Sequence, residues 1–184
     1  MLTPEQIANL PSDTKKEYMQ TVLLLEEKKK QQAVKDDFLA FVKHLWPNFI
    51  EGEHHKIMAD KFNKVQSGEI KRLIINMAPR HTKSEFASNF LPAWMIGKQP
   101  DLKIIQATHN AELAVRFGRK AKTLMDSQEY KEIFNTRLRE DSKAAGKWET
   151  DQAANTMLLV LEDQLQVVVR IYLSLTIHTL NKMR

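Results

Sequence analysis

Apolar positions recur at helical spacing as far as Gly68, and the pattern then changes. Thr3-Pro4-Glu5-Gln6 places Pro at a first helical position and predicts a short opening helix. Ser12-Asp13 opens a longer one through Tyr18, Val22 and Leu25 into the charge run Glu26–Lys30, which reads as a solvated face. A third helix carries Phe38, Phe41, Val42 and Leu45 and stops at Pro47. A fourth carries Ile57, Met58, Phe62 and Val65 and ends near Gly68.

Beyond Gly68, Leu73-Ile74-Ile75 is a short β-branched run that suits a strand buried on both faces. It leads through Met77–Ser84 into a helix with Phe86, Phe90, Leu91, Trp94 and Met95 on one face and Gly97 as its stop. Pro100-Asp101 turns into a second buried run, Leu102–Ala107. Thr108-His109-Asn110 then opens a helix with Leu113, Ala114, Phe117, Ala121 and Leu124 on its apolar side. Strand, loop, helix, strand, helix is the order of a parallel α/β sheet flanked by helices. The expected fold is therefore α/β, a parallel sheet flanked by helices after a helical N-terminal segment; the motif and resemblance below make that sheet an incomplete P-loop one.

Composition changes this picture little. The 184 residues are enough for one core of ordinary size. A net charge of +5 is compatible with nucleic-acid or nucleotide partners without singling them out. The absence of cysteine excludes a disulfide framework and a thiolate metal site. The longest apolar stretch, Met157–Ile177, is broken by Glu162, Asp163 and Arg170, so no membrane span and no secretion signal are expected, and the reading is cytoplasmic.

The chemistry concentrates at the first strand–helix junction. A helix that starts at the carboxyl end of a parallel strand aims unpaired N–H groups and a positive dipole end at any anion above it. Lys83 supplies a long cation and Ser84 a hydroxyl for magnesium, at the two positions a P-loop assigns to them. The two glycines of the usual pattern fall at Met77 and Thr82, so the loop is expected to be shorter and tighter than the standard one. Arg80 adds a second positive charge. The nucleotide-binding candidates are Arg80, His81, Thr82, Lys83 and Ser84, with ATP and Mg2+ as cofactors and Ser84 as the magnesium ligand.

Gly68–Ile75 followed by Ala78-Pro79-Arg80-His81-Thr82-Lys83-Ser84-Glu85 resembles the ATPase motor of tailed-phage terminase large subunits, whose Walker A loop often lacks its glycines and carries an arginine after a proline. His54-His55, Ala107-Thr108-His109-Asn110, Phe117-Gly118-Arg119, Tyr130 and Phe134 extend the resemblance over about residues 38 to 152. It implies an ASCE-type ATPase that drives viral double-stranded DNA into a procapsid, as a homo-oligomeric ring working with a portal protein and a small terminase subunit. It further implies Arg116 or Arg119 as an arginine reaching a neighbouring subunit's nucleotide, and His54-His55 as a possible border of the adenine site. The division that follows is a helical segment 1–46, a partial ATPase domain 47–152 and a remainder 153–184, with no nuclease domain. Two other readings stay open: another P-loop translocase such as a helicase, and a non-catalytic module whose basic helix around Arg116, Arg119, Lys120 and Lys122 contacts nucleic acid.

Such an ATPase needs an apolar strand ending in acidic residues, and none is legible where it is due. Codons written for the tail give a reason. Taking the last base of each codon with the first two of the next, the chain from Thr156 onward can spell Y-A-A-G-V-G-G-S-I-T-G-R-G-A-D-L-L-I-I-D-D-P-H-S-E-Q-D-A. That string holds an apolar strand ending in two aspartates. Loss of one base near Gln152-Ala153 would produce the observed residues, so 153–184 are expected to be out of frame and the chain truncated and inactive in hydrolysis. The nucleotide sequence of codons 150–184 tests this directly.

Overall fold

The computed structural model describes residues 6–7, 9–108, 111–139, 147–151, 155–160 and 170–173. The helix expected at Thr3–Gln6 lies largely outside them. The described helices are α1 (Ser12–Asp36), α2 (Phe38–Leu45), α3 (Glu53–Gln66), α4 (Lys83–Glu85), α5 (Leu91–Lys98), α6 (Ala111–Asp126) and α7 (Gln128–Ile133), with a π-helical turn, Phe86–Phe90, joining α4 to α5. The strands are β1 (Lys103–Thr108), β2 (Lys147–Glu149), β3 (Asn155–Val160) and β4 (Arg170–Leu173), in the spatial order β2-β3-β1-β4.

This corrects the expected fold. The described residues are mostly helical, and their small sheet is mixed rather than parallel: β1 runs parallel to β3, but β4 is antiparallel to β1 and β2 antiparallel to β3. The first expected strand, Leu73–Ile75, joins no ladder among the described residues. Leu73, Ile75 and Met77 lean on the core, whereas Ile74 is 84% exposed. A strand buried on both faces needs a neighbour at each edge and cover on each side; this segment has cover on one side only.

The core is aromatic. Phe38, fully buried, meets Phe62, Phe86 and Trp94 edge-on at centroid distances of 5.1, 5.4 and 5.5 Å. Phe41 meets Phe90, Tyr130 and Phe134. Burial of each such ring stabilises by about 1.5–3 kcal/mol. Asp37 breaks α1 from α2: its backbone is extended, and its side chain accepts Ala40 N–H at 2.7 Å as the α2 cap and Asn63 Nδ2–H at 2.8 Å. Asn63 Oδ1 in turn accepts Phe38 N–H, which ties α2 to α3.

The π turn has an identifiable cause. Pro92 sits inside the continuous helical run from Lys83 to Lys98, where proline cannot bond the carbonyl four residues back and its ring crowds it. Leu91 N–H therefore reaches back five residues to Phe86 O, and the freed Ser88 carbonyl accepts Gln106 Nε2–H from β1 at 3.1 Å. This exchange places a glutamine in the core of β1 and fixes the helix against the strand. Gly97 is not the helix stop; the helix continues through Lys98. A Cβ at Gly97 would come within 2.5 Å of the Phe134 ring, so glycine is required there by close packing.

Candidate functional site

The loop from Ala78 to Ser84 leaves the extended segment on the surface and turns into α4. Two non-glycine residues in it have positive φ, Arg80 at 66° and Thr82 at 57°. For a β-branched threonine this is strained backbone, of the kind that persists only where the surroundings enforce it. Thr82 stands where the usual P-loop has its second glycine, and it takes the left-handed conformation that glycine adopts there without strain. Its carbonyl then accepts Phe86 N–H at 3.0 Å and starts the helix.

The surroundings that enforce Thr82 are on α3. The buried stripe of that helix is His55, Met58, Ala59 and Phe62, not Ile57, which is 58% exposed. His55 lies edge-on to Phe49 (4.7 Å between centroids) and against Phe86 (5.1 Å), and its Nε2 is 2.6 Å from Thr82 Oγ1. Its Nδ1 accepts Gly52 N–H at 2.9 Å. The neutral ring therefore carries its proton on Nε2 and donates it to Thr82, whose own hydroxyl donates to His81 O at 2.7 Å. Burial, with the adjoining His54 and then His81, holds the His55 pKa below the ordinary histidine value, against an opposing pull from Glu51.

The remaining predicted residues fall as follows. Arg80 and His81 are exposed, and His81 Nδ1–H donates to Pro79 O at 2.9 Å. Lys83 and Ser84 are half-buried. Among the described residues neither Lys83 nor Arg80 has a carboxylate partner, which leaves both cations free for an anion. Glu85, next in sequence after Ser84, is already engaged: it pairs with Lys120 of α6 and accepts Asn89 Nδ2–H. No group of three His, Asp or Glu among the described residues is arranged to hold a metal. The loop thus fits phosphate, while for magnesium it offers the Ser84 hydroxyl and no carboxylate.

Arg116 and Arg119 are exposed on α6, Arg116 over the Phe117 ring. Arg119 lines a separate open cleft of about 480 Å³ with Leu45, Asn89, Thr123 and Ser127, and no residue of the 78–84 loop reaches that cleft. Tyr130 and Phe134 are core residues: the Tyr130 hydroxyl donates to Ala93 O at 2.8 Å, and its burial pushes the phenol pKa up. His109 and Asn110 lie outside the described residues.

Sequence reasoning named His55 only beside His54 as a border of an adenine site, and missed two things. One is its burial and its bond to Thr82; the burial follows from its i, i+3, i+4, i+7 register with Met58, Ala59 and Phe62, which places it on the buried stripe. The other is that Met157–Leu161 is itself an apolar run ending in Glu162-Asp163; its first residues lie in β3, and the two acids are outside the described residues. Among the described residues no helix is long and apolar enough to cross a membrane. Comparison with protein families, with curated proteins and with solved structures finds no match.

Proposed function

We propose that the loop Arg80–Ser84 grips the phosphates of a nucleotide, and that the chain is the ATP-holding portion of a DNA-packaging motor of the terminase type. One observation carries the reading: a lysine with no carboxylate partner among the described residues follows directly on a threonine held in a glycine conformation at the start of a helix. Lys83 and Arg80 would neutralise phosphate charge, and the first N–H groups of the helix would donate hydrogen bonds to the phosphate oxygens. Magnesium, when bound, supplies charge neutralisation between the outer phosphates, and Ser84 is the residue that would hold it. Hydrolysis also needs an acidic group to orient water; of the described residues, Glu85 directly after the loop is paired with Lys120. The out-of-frame reading of residues 153–184 adds that this chain binds nucleotide without turning it over, and double-stranded DNA and the rest of the packaging machine are partners of the intact motor.

Titration of the chain with ADP tests this. Lys83→Ala removes the point charge and is expected to weaken binding by about tenfold or more, as loss of a charge-assisted contact does. Arg119→Ala is the comparison: nucleotide binding lost with Arg119 and kept without Lys83 would favour the basic helix as the ligand surface and sink the loop reading. Magnesium-dependent ATP hydrolysis abolished by Lys83→Ala would overturn the statement that the chain does not turn ATP over.

A further inference from the structure

We infer that His55 is the positioning residue of the phosphate loop, holding Thr82 in its left-handed conformation and so setting where Lys83 and Ser84 point. The inference rests on the reading of this loop as a phosphate site. Its geometry is a one-way chain of three hydrogen bonds, Gly52 N–H to His55 Nδ1, His55 Nε2–H to Thr82 Oγ1, and Thr82 O–H to His81 O, at 2.9, 2.6 and 2.7 Å. Every ring nitrogen of His55 is used, and the residue is 5% exposed between Phe49 and Phe86, so the ring cannot swing away. His55 and Thr82 are 27 positions apart, which makes the bond a tertiary tie rather than a local turn feature.

A glycine at position 82 would adopt this backbone unaided. Threonine does not, and the side chain that distinguishes it from glycine is the one His55 holds. The pair replaces the missing glycine: one residue supplies the hydroxyl handle, the other pulls on it. The device also makes the loop responsive to protons, because a proton on Nδ1 would face the Gly52 N–H and break the chain at its first bond. The charged or titratable groups facing His55 are Glu51 from the preceding loop, His54 on its own helix and His81 on the phosphate loop; Phe49 and Phe86 contribute only apolar surface.

The test is pyrophosphate binding by calorimetry on the full chain in four forms: unaltered, His55→Phe, Thr82→Gly, and both together. Phenylalanine keeps the ring volume and removes both nitrogens. His55→Phe alone is expected to weaken pyrophosphate by about tenfold, and adding Thr82→Gly to restore it to within about threefold, because glycine needs no holder. The unaltered chain should also lose affinity below about pH 6.5 more steeply than Thr82→Gly does, a difference from which the protonation of pyrophosphate itself cancels. Unchanged affinity in His55→Phe, or an equal loss in both backgrounds, would overturn the inference. If the unaltered chain binds no pyrophosphate, the phosphate reading fails. The amide resonances of residues 80–84 in His55→Phe then decide the positioning role alone: displaced signals uphold it, unmoved ones end it.

Discussion

Two apolar segments of similar composition, Leu73–Met77 and Lys103–Thr108, have opposite fates in this molecule. Lys103–Thr108 is a ladder strand with a partner on each side, β3 and β4, and Ile104 is 1% exposed. Leu73–Met77 runs extended with no ladder among the described residues, and Ile74 is 84% exposed. The difference is not in the residues but in what lies beside them. β1 gains hydrogen-bond partners on both edges and a helix whose freed Ser88 carbonyl takes the Gln106 amide. The earlier segment has a core on one side and no strand at either edge among the described residues. β propensity therefore reports fitness for a pleated surface, and the ladder itself has to come from neighbours.

The sharpest test is to delete the same side chain from each segment. Ile104→Ala is expected to cost about 2–5 kcal/mol of stability, read as a lower denaturant midpoint, because it empties a filled site. Ile74→Ala should stay within about 0.5 kcal/mol, since the side chain is already in water. Similar costs at both positions would mean that Ile74 is covered in solution and would erase the contrast.

Each segment also follows a glycine, and the two glycines are there for different reasons. Gly97, ahead of β1, is confined by Phe134: Gly97→Ala puts a methyl within 2.5 Å of that ring, and overpacking of this kind costs about 1–3 kcal/mol. Gly68, ahead of the edge segment, has φ +82° and nothing within 4 Å of a would-be Cβ. Gly68→Ala should therefore cost only the backbone penalty of about 1–2 kcal/mol, at the lower end of the range for Gly97. The discriminating measurement is a second-site change: Phe134→Leu, which thins the ring, should recover part of the Gly97→Ala loss and none of the Gly68→Ala loss.

Much of the helical half was legible because helix signals are local. Phe38, Phe41 and Val42 are buried as their spacing implies, and α2 ends just ahead of Pro47. Phe86, Phe90, Leu91, Trp94 and Met95 are buried too, but so are Ala87, Ser88 and Asn89 between them, since the π turn and Pro92 lie inside a helix covered all round. The parallel sheet was not legible because strand pairing joins residues far apart in the chain. Periodicity around Leu73 cannot say whether a neighbour arrives. The loop was half legible: Lys83-Ser84 and Arg80 stand out by type, whereas the left-handed turn at Thr82 depends on His55, whose role no local pattern carries. The absent glycine at position 82 marked a departure from the usual loop, and the structure supplies its replacement from a different helix.

The smallest expected effect separates the two regions by pH. β1 is held by backbone hydrogen bonds, which do not titrate in the neutral range, whereas the loop after the first segment is held through the ring of His55. That histidine has its pKa lowered in the folded chain, chiefly by burial. As pH falls through about 6.5, the unfolded chain takes up the proton first while the folded chain stays neutral. The contribution is therefore fully present above that value and is lost as pH drops from it toward the lower folded pKa. Glu51 acts in a separate window: the hydrogen bond from Lys43 holds its carboxyl below the usual range, so its stabilising share is lost only under more acid conditions, below its ordinary value near 4.5. Between about pH 7.5 and pH 5.5 the unaltered chain should thus lose more stability in urea than His55→Phe does, and amide shifts accompanying the loss should appear at residues 80–84 before any at 103–106. Equal pH slopes in the two chains, or shifts that reach β1 first, would show that the loop is not held through His55 and that the two segments are secured by the same means.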